Sequence, residues 1–547
     1  MKIVIIGGVA TGMSAATRAR RLDEHAEITV YEKSGNVSYA NCGLPYYLSG
    51  IIDSRAALLL QTPTSLKERF NIDVRVNSEV LNIDLQNKTV LVRNTQTGVE
   101  LSDNYDKLIV ATGAKPRTLD VPGGERAIPL RNIEDVDRIK ASMDELAEKT
   151  AVIIGSGFIG IEVADNLHEA NYKIHLVNSS HQVMGTFDYE IAEPLQKAID
   201  KAGIELHLGK TVKEVTTDSV VLSDGSVLPA ALVINAAGIS PETTLAKDAG
   251  LVIGETGGIW VDENQRTSDA DVYAGGDAAQ KHSFLSDDYG LIPLANLANR
   301  HGRAIADAIY GLPVSSAKSL GTSIIGALGV TLAMTGLSEK SAKAQGVEYK
   351  VIHLHPNDHA GYYPGASQLS MKVLFDPTTG LLLGAQAVGE AGVDKRIDVI
   401  ATAIKGGLTV NDLMDLELTY APQFGSAKDA INQAGYVGNN VFTGKTKTIQ
   451  WNEVENFASE GYVLLDVRTP TEHAAGHIPN SINIEVNVLR DYIEELQDKK
   501  VVAYCQVGQR GHTASSLLQG YGIETVNLDG GYKTWRVATD AKNRKEG

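Results

Sequence analysis

Short apolar runs recur along this chain, several of them followed by a glycine-bearing turn and a stretch of helical spacing. Lys2–Ile6 is the first, an uninterrupted run of the kind that buried parallel strands show. Gly7-Gly8-Val9-Ala10-Thr11-Gly12 follows, then a helix-like stretch to about Leu22 and a second strand, Ile28–Tyr31, closed by Glu32. Leu108–Val110 is a further strand, ending in the small-residue turn Ala111-Thr112-Gly113-Ala114. From Lys149 the pattern restarts: strand Ala151–Ile154, turn Gly155-Ser156-Gly157-Phe158-Ile159-Gly160, a helix with Glu162, and strand Ile174–Val177 before Asn178. Beyond about residue 321 strand-like Met371–Phe375 mixes with helix-like Ile397–Ile404. Gly438–Lys447 is polar and glycine-containing and reads as a linker. A new small domain begins near Thr448, and its strand Val501–Tyr504 runs into Cys505. The pattern predicts an α/β protein of several domains.

Strand, glycine turn, helix, strand and terminal acid is the layout that binds a dinucleotide. The glycines allow the tight turn, the helix N-terminus faces pyrophosphate, and the acid takes ribose hydroxyls. In the first unit Glu32 lies twenty-five residues after Gly7, and Val9 stands where the pattern has its middle glycine. Gly155, Gly157 and Gly160 of the second unit match the full spacing. That unit reads as a nicotinamide nucleotide site. Its ribose position is Asn178, neither the acid that favours NADH nor an arginine for a 2′-phosphate, and the reading leans to NADH over NADPH. On the first helix Ser14, Arg18 and Arg21 share a face.

A net charge of −17 argues against nucleic acid and anionic membrane surfaces as partners, although a local basic patch still suits an anionic ligand. Two cysteines cannot build a disulfide framework. With no signal peptide and no uncharged apolar run of transmembrane length, the expected location is cytoplasmic. No metal site is assigned.

Cys42 lies in Ser38-Tyr39-Ala40-Asn41-Cys42-Gly43-Leu44-Pro45-Tyr46-Tyr47, where it is expected at the start of a helix whose N–H groups favour a thiolate. This segment resembles the active-site segment of coenzyme A disulfide reductases, single-cysteine members of the pyridine nucleotide–disulfide oxidoreductase family. The resemblance runs over about residues 1–445. It implies two Rossmann-like domains: an FAD-binding domain at 1–116 and 243–320, interrupted by an NAD(P)-binding domain at 117–242. A dimerisation domain at 321–445 follows, and the expected assembly is a homodimer. The run Thr267 to Asp277, with Val272-Tyr273-Ala274-Gly275-Gly276-Asp277, resembles the family's second flavin motif, whose aspartate binds the ribityl chain.

The resemblance therefore implies cofactor contacts at Gly7, Gly8, Val9, Ala10, Gly12, Glu32, Lys33, Thr112, Gly113, Asp277 and Ala295 for FAD. For the nicotinamide nucleotide it implies Gly155, Gly157, Gly160, Glu162, Asn178 and Gly238. Coenzyme A is expected at Ser14, Arg18, Arg21, Ser38, Asn41, Arg300 and Lys428, as a mixed disulfide with Cys42. Tyr362 and Tyr420 match two tyrosines that the partner subunit brings to the reactive sulfur in that family.

The C-terminal segment resembles a rhodanese domain, expected at 448–547. Its pieces are Leu464 to Glu472, Gly476 to Ser481, the loop Cys505-Gln506-Val507-Gly508-Gln509-Arg510-Gly511, and Leu528 to Trp535. Gly508 and Gly511 let the loop curl around a thiolate or persulfide, and Arg510 is expected to brace it through Asp466 or Glu472. A sulfane-sulfur carrier beside a disulfide reductase implies persulfide or polysulfide reduction, with sulfide release and coenzyme A disulfide reduction retained. The competing readings are an NADH oxidase or peroxidase with Cys42 as sulfenic acid, and a redox or sulfur sensor that binds flavin without rapid turnover.

Overall fold

The computed structural model describes residues 1–286, 288–314 and 318–546. Residues 287, 315–317 and 547, which the expected segments 243–320 and 448–547 include, lie outside the described residues. Internal contacts divide the chain into two units: Met1–Ser179 with Gly203–Gly321, and Ser180–Ala202 with Thr322–Gly547.

The first unit holds two five-stranded parallel sheets. One has Lys2–Ile6 at its centre, flanked by Glu27–Tyr31 and Lys107–Val110, with Asp73–Arg75 and Val272–Ala274 at the edges. The other centres on Thr150–Ile154, flanked by Lys173–Asn178 and Leu232–Asn235, with Glu205–Leu208 and Ile128–Pro129 outside. The apolar runs are apolar throughout because both faces are covered. Ile3 and Ile5 pack with Ala15, Ala16 and Ala19 of helix Ala10–Leu22. Val4 and Ile6 point the other way, towards Val90, Val92 and Leu108. The chain leaves the first sheet along Ala114–Pro116 and returns along Ile239–Pro241, and these two segments pair antiparallel. The chain of the second sheet thus interrupts that of the first.

The second unit contains an antiparallel sheet in the order Ser323–Ala327, Val330–Gly336, Leu382–Gly389, Ser370–Phe375, Lys350–Leu354. Helix Val393–Lys405 packs on it. A parallel sheet follows: Thr448–Ile449, Thr525–Leu528, Val501–Tyr504, Val463–Asp466, Ile482–Asn483. The stretch expected as a linker from Gly438 is a correction: Gly438–Phe442 completes helix Ala430–Phe442. The lack of a side chain at Gly438 serves packing there, since a Cβ would stand 2.2 Å from Val410 Cγ2.

Helix Tyr189–Lys201 lies in the 117–242 segment of the chain but packs within the second unit, against helix Gly531–Glu546 and the antiparallel sheet. Its Glu190 joins a buried charge network. Lys372, wholly buried, meets Asp188 at 3.0 Å, Glu339 at 2.7 Å and Glu190. His353 bridges Glu190 Oε1 (3.1 Å) and Asp529 Oδ2 (2.7 Å). Burial alone would lower the His353 pKa, but Asp529 and Glu190 hold it up at about 9. The imidazolium ties the strand Lys350–Leu354 to the segment that closes the Cys505 loop.

Candidate active site

Both glycine turns share one backbone solution. Gly7 and Gly155 have φ of +105° and +106°, and a Cβ at either would stand 2.2 Å from a carbonyl, Ala111 O or Ala236 O. Gly12 and Gly160 let each helix close on the turn, where a Cβ would stand 1.9 Å from Gly7 O or Gly155 O. Gly157 differs, because a Cβ there would meet nothing within 4 Å. Its openness leaves the backbone free for the approach of a pyrophosphate at the start of helix Phe158–Glu169. Val9, its counterpart, precedes helix Ala10–Leu22.

The acid of the first unit is already oriented. Glu32 Oε2 accepts the Gly8 N–H (2.8 Å) and Oε1 the Ser34 N–H (2.8 Å). Lys33 is turned to Glu79 (2.8 Å) and is largely exposed. Asn178 Oδ1 accepts the Ser156 N–H at 3.4 Å. Thr112 Oγ1 donates to Glu242 O (2.6 Å), which joins the small-residue turn to the returning chain near Gly238. Ala295 begins helix Ala295–Ile309. These residues fit a flavin and a nicotinamide nucleotide, since each turn combines a helix N-terminus with glycines where a side chain would collide with the backbone.

Asp277 pairs with Arg131, Nη2 to Oδ2 at 2.9 Å. Arg131 carries no motif in the sequence, yet its backbone carbonyl also accepts from Asn41 Nδ2 (3.2 Å) and its charge acts on Cys42. Lys281, likewise unforeseen, is buried against Gly276 O and Ala279 O (2.8 Å), and burial drives its pKa down to about 8.

Cys42 lies in the single turn Asn41–Gly43, ahead of helix Leu44–Ser49, and is exposed. Leu44 and Leu48 anchor that helix in the core. Ser38 has a left-handed φ of +46°, and its N–H and carbonyl are held by Gly8 O (2.8 Å) and Leu60 N (3.0 Å). The expected depression of the thiol pKa is corrected. Partial desolvation by the packed side of the residue raises it, Glu162 and Asp277 add to this, and Arg131 opposes. Burial first, with the carboxylates adding to it, thus outweighs what a helix of six residues can offer. Burial and Asp165 push Glu162 itself up to about 7, against a hydrogen bond from Tyr46.

The face expected to hold coenzyme A is partly spoken for. Ser14 Oγ donates to Asn299 Oδ1 (2.6 Å) and Arg18 Nε to Asp307 Oδ1 (2.6 Å), because helix Ala10–Leu22 packs closely on helix Ala295–Ile309. A Cβ on Gly302 would stand 2.3 Å from Thr11 O. Arg21 and Arg300 are exposed, and Arg300 reaches Lys318 O at 3.4 Å.

In the second unit Tyr362 and Tyr420 meet hydroxyl to hydroxyl at 3.0 Å, 77% and 49% exposed. Backbone bonds hold their loops together: the Ala360 N–H donates to Pro422 O (3.2 Å) and Gly425 O (3.1 Å). Beneath them buried Arg396 bonds Asp358 O (2.7 Å) and Asp429 (2.8 Å). Lys428, next to Asp429, is exposed.

Cys505 is buried at the end of strand Val501–Tyr504. Its loop turns into helix Gln509–Gly520 at Gly508, where φ is +94°. Gly511 has Asn527 Oδ1 2.3 Å from where a Cβ would be. The segment after Gly530 closes the loop from behind: Tyr532 N–H donates to Cys505 O (2.8 Å) and Lys533 N–H to Gln506 O (2.9 Å). Arg510 is braced by Glu472 at 2.6 and 2.8 Å. Asp466 instead takes Arg468 (2.7 Å) and His473 (2.9 Å), and Arg468 reaches Gln506 Oε1 (3.1 Å). Gln509 lies exposed on the rim, with Val507 half-buried.

Two dinucleotide cradles, a domain within a domain and an exposed cysteine on the turn after the first strand pair define a flavin- and pyridine-nucleotide-dependent disulfide reductase class. Family comparison agrees: residues 1–302 match the pyridine nucleotide-disulphide oxidoreductase model and 327–431 its dimerisation domain. The chain belongs to that family. Residues 451–538 match a rhodanese-like domain. A coenzyme A disulfide reductase of Staphylococcus epidermidis is 33% identical over 436 residues, 80% of this chain and 99% of that protein. The crystal structure of reduced Bacillus anthracis CoADR-RHD is 44% identical, with a TM-score of 0.97 over 98% of both chains. A NAD-dependent persulfide reductase from A. fulgidus is 34% identical, with a TM-score of 0.91 over 98% of this chain and 100% of that one. Among the described residues no helix is long and apolar enough to cross a membrane.

Proposed function

We propose that this protein is a homodimeric FAD-dependent NAD(P)H reductase of coenzyme A persulfide, polysulfide and coenzyme A disulfide, releasing hydrogen sulfide from the sulfane substrates. The observation that carries it is a lone exposed cysteine on a flavin-type fold, in a chain that also holds a rhodanese loop with its own cysteine. With no second cysteine nearby in sequence, Cys42 needs an external thiol as redox mate. The relatives that reduce coenzyme A disulfide or persulfide support coenzyme A in that role.

When bound, the flavin and nicotinamide supply two electrons. The chain's own residues handle the sulfur. Cys42 thiolate attacks the inner sulfur of coenzyme A persulfide, forming the Cys42–coenzyme A disulfide and expelling hydrosulfide. On coenzyme A disulfide the same attack expels coenzyme A thiolate. The Tyr362–Tyr420 pair, brought by the partner subunit of the dimer, gives the proton to the departing sulfur. Two-electron reduction of the mixed disulfide returns Cys42 thiolate and coenzyme A thiol. Ser14, Arg18, Arg21, Ser38, Asn41, Arg300 and Lys428 hold the polar and anionic parts of coenzyme A. Cys505 takes a sulfane sulfur from a donor as a persulfide and passes its outer sulfur to a thiolate acceptor, regenerating the Cys505 thiolate. Asn178 at the ribose position, with no arginine following it for a 2′-phosphate, supports NADH over NADPH.

The test is sulfide release from coenzyme A persulfide or polysulfide with NADH. Cys42→Ser is expected to abolish it, and an unchanged rate in that variant overturns the mechanism. Intact-mass measurement of protein purified without reductant is expected to show a coenzyme A adduct on Cys42. Rapid NADH oxidation by oxygen or peroxide, independent of coenzyme A, would support the sulfenic acid reading instead.

A further inference from the structure

In the second parallel sheet the edge strand reads Glu205-Leu206-His207-Leu208, and its parallel register sets His175 opposite Glu205 and Val177 opposite His207. Alternation along a strand therefore puts His175, Glu205 and His207 on one face of the sheet. His175 Nδ1 lies 3.2 Å from His207 Nε2 and 3.2 Å from Glu205 Oε2, and the three ligand atoms all lie within 4.8 Å of one another. His175 is buried and its Nε2 is enclosed without a hydrogen-bond partner among the described residues, so Nδ1 is the nitrogen placed to serve a ligand. Lys173 holds the other Glu205 oxygen at 3.1 Å, which turns Oε2 towards the imidazoles. Glu205 is exposed and His207 half-buried, so the cluster is open to solvent on one side.

We propose that His175, Glu205 and His207 form a three-ligand site for a divalent transition metal ion, zinc by the chemistry of its donors. Two imidazoles and a carboxylate are a zinc donor set, with water at the fourth position. Tetrahedral zinc with bonds of about 2.0–2.1 Å sets neighbouring ligand atoms roughly 3.3 Å apart, which matches the two 3.2 Å separations. Hydrogen bonding alone requires a single N–H at Nδ1 to serve both neighbours at once. A metal ion instead takes one lone pair from each. The acidic cluster Asp188, Glu190 and Glu339 is a useful contrast, because there the Lys372 ammonium already provides the cation. Zinc at His175 would clamp the edge strand to the strand that ends at Asn178.

The experiment uses the full-length, flavin-loaded protein carrying Cys42→Ser and Cys505→Ser, so that thiols do not compete. After chelator treatment it is titrated with zinc against a chromophoric chelator. One saturable equivalent is expected, weakened at least tenfold by Glu205→Gln and by His207→Ala. Glu205 is a surface residue, so its variant keeps the fold even where the His207 variant does not. No saturable equivalent, or one that Glu205→Gln leaves unchanged, overturns the proposal.

Discussion

Tyr362 and Tyr420, separated by 58 residues of sequence, touch through their hydroxyls at 3.0 Å on the surface of the antiparallel-sheet domain. Neither is packed away, and the contact raises the Tyr362 pKa, Tyr420 being the first cause. A pair of exposed phenols joined by one hydrogen bond suits proton transfer to a leaving thiolate. Tyr362→Phe and Tyr420→Phe are each expected to lower sulfur-substrate turnover by about 10²-fold. The double variant should fall little further, because the two act as a unit. Reduction of the flavin by NADH, followed by stopped flow, should be unchanged in all three. Turnover at the wild-type rate in either single variant would remove the pair from the mechanism.

Glu162 and Cys42 are coupled through charge. Ionisation of Glu162, centred near pH 7, raises the thiol pKa, so Glu162→Gln lowers it. The expected change is a fall in the thiol pKa, because one of the negative charges that raise it is gone. Alkylation rates of Cys42 against pH read it directly. A thiol pKa that rises in the variant would contradict the assignment.

His353 should make the second unit sensitive to alkaline pH. Its folded pKa, about 9, lies above the unfolded value of 6.5. The stabilisation is therefore fully present below about pH 6.5 and is lost as pH rises through 9. A shift of that size corresponds to something on the order of 3 kcal/mol. Thermal unfolding followed between pH 6 and 10 should show falling stability, and His353→Gln should flatten that slope. An equally steep slope in the variant would assign it to other groups.

Arg510 acts only on the rhodanese loop. Its paired hydrogen bonds to Glu472 hold the loop in shape. Arg510→Leu is expected to cut sulfur transfer from a sulfane donor to cyanide at least tenfold, a loss of about 1.4 kcal/mol in transition-state binding. NADH-dependent coenzyme A disulfide reduction by the same protein should persist. Parallel loss of both activities would mean that the substitution damages the fold.

The element pattern was open to reading because it is local. The run Lys2–Ile6 is apolar since both its faces are covered, and Gly7 and Gly155 occur where backbone sterics exclude a Cβ. The candidate sulfurs Cys42 and Cys505 were legible for the same reason, each lying in a continuous motif. Arg131 was not, because it meets Asp277 across 146 residues and neither flank carries a signal. The thiol pKa of Cys42 was misjudged because burial, the main cause of its rise, is set by the fold, and the Glu162 charge that adds to it comes from the distant helix Phe158–Glu169. The choice of Glu472 over Asp466 as the brace of Arg510 required knowing that Arg468 already claims Asp466. Chain chemistry by itself determined the strands, the turns and the candidate sulfurs. Folding alone decided which charges surround them, because electrostatic interaction depends on distance in space and burial, not on separation along the backbone.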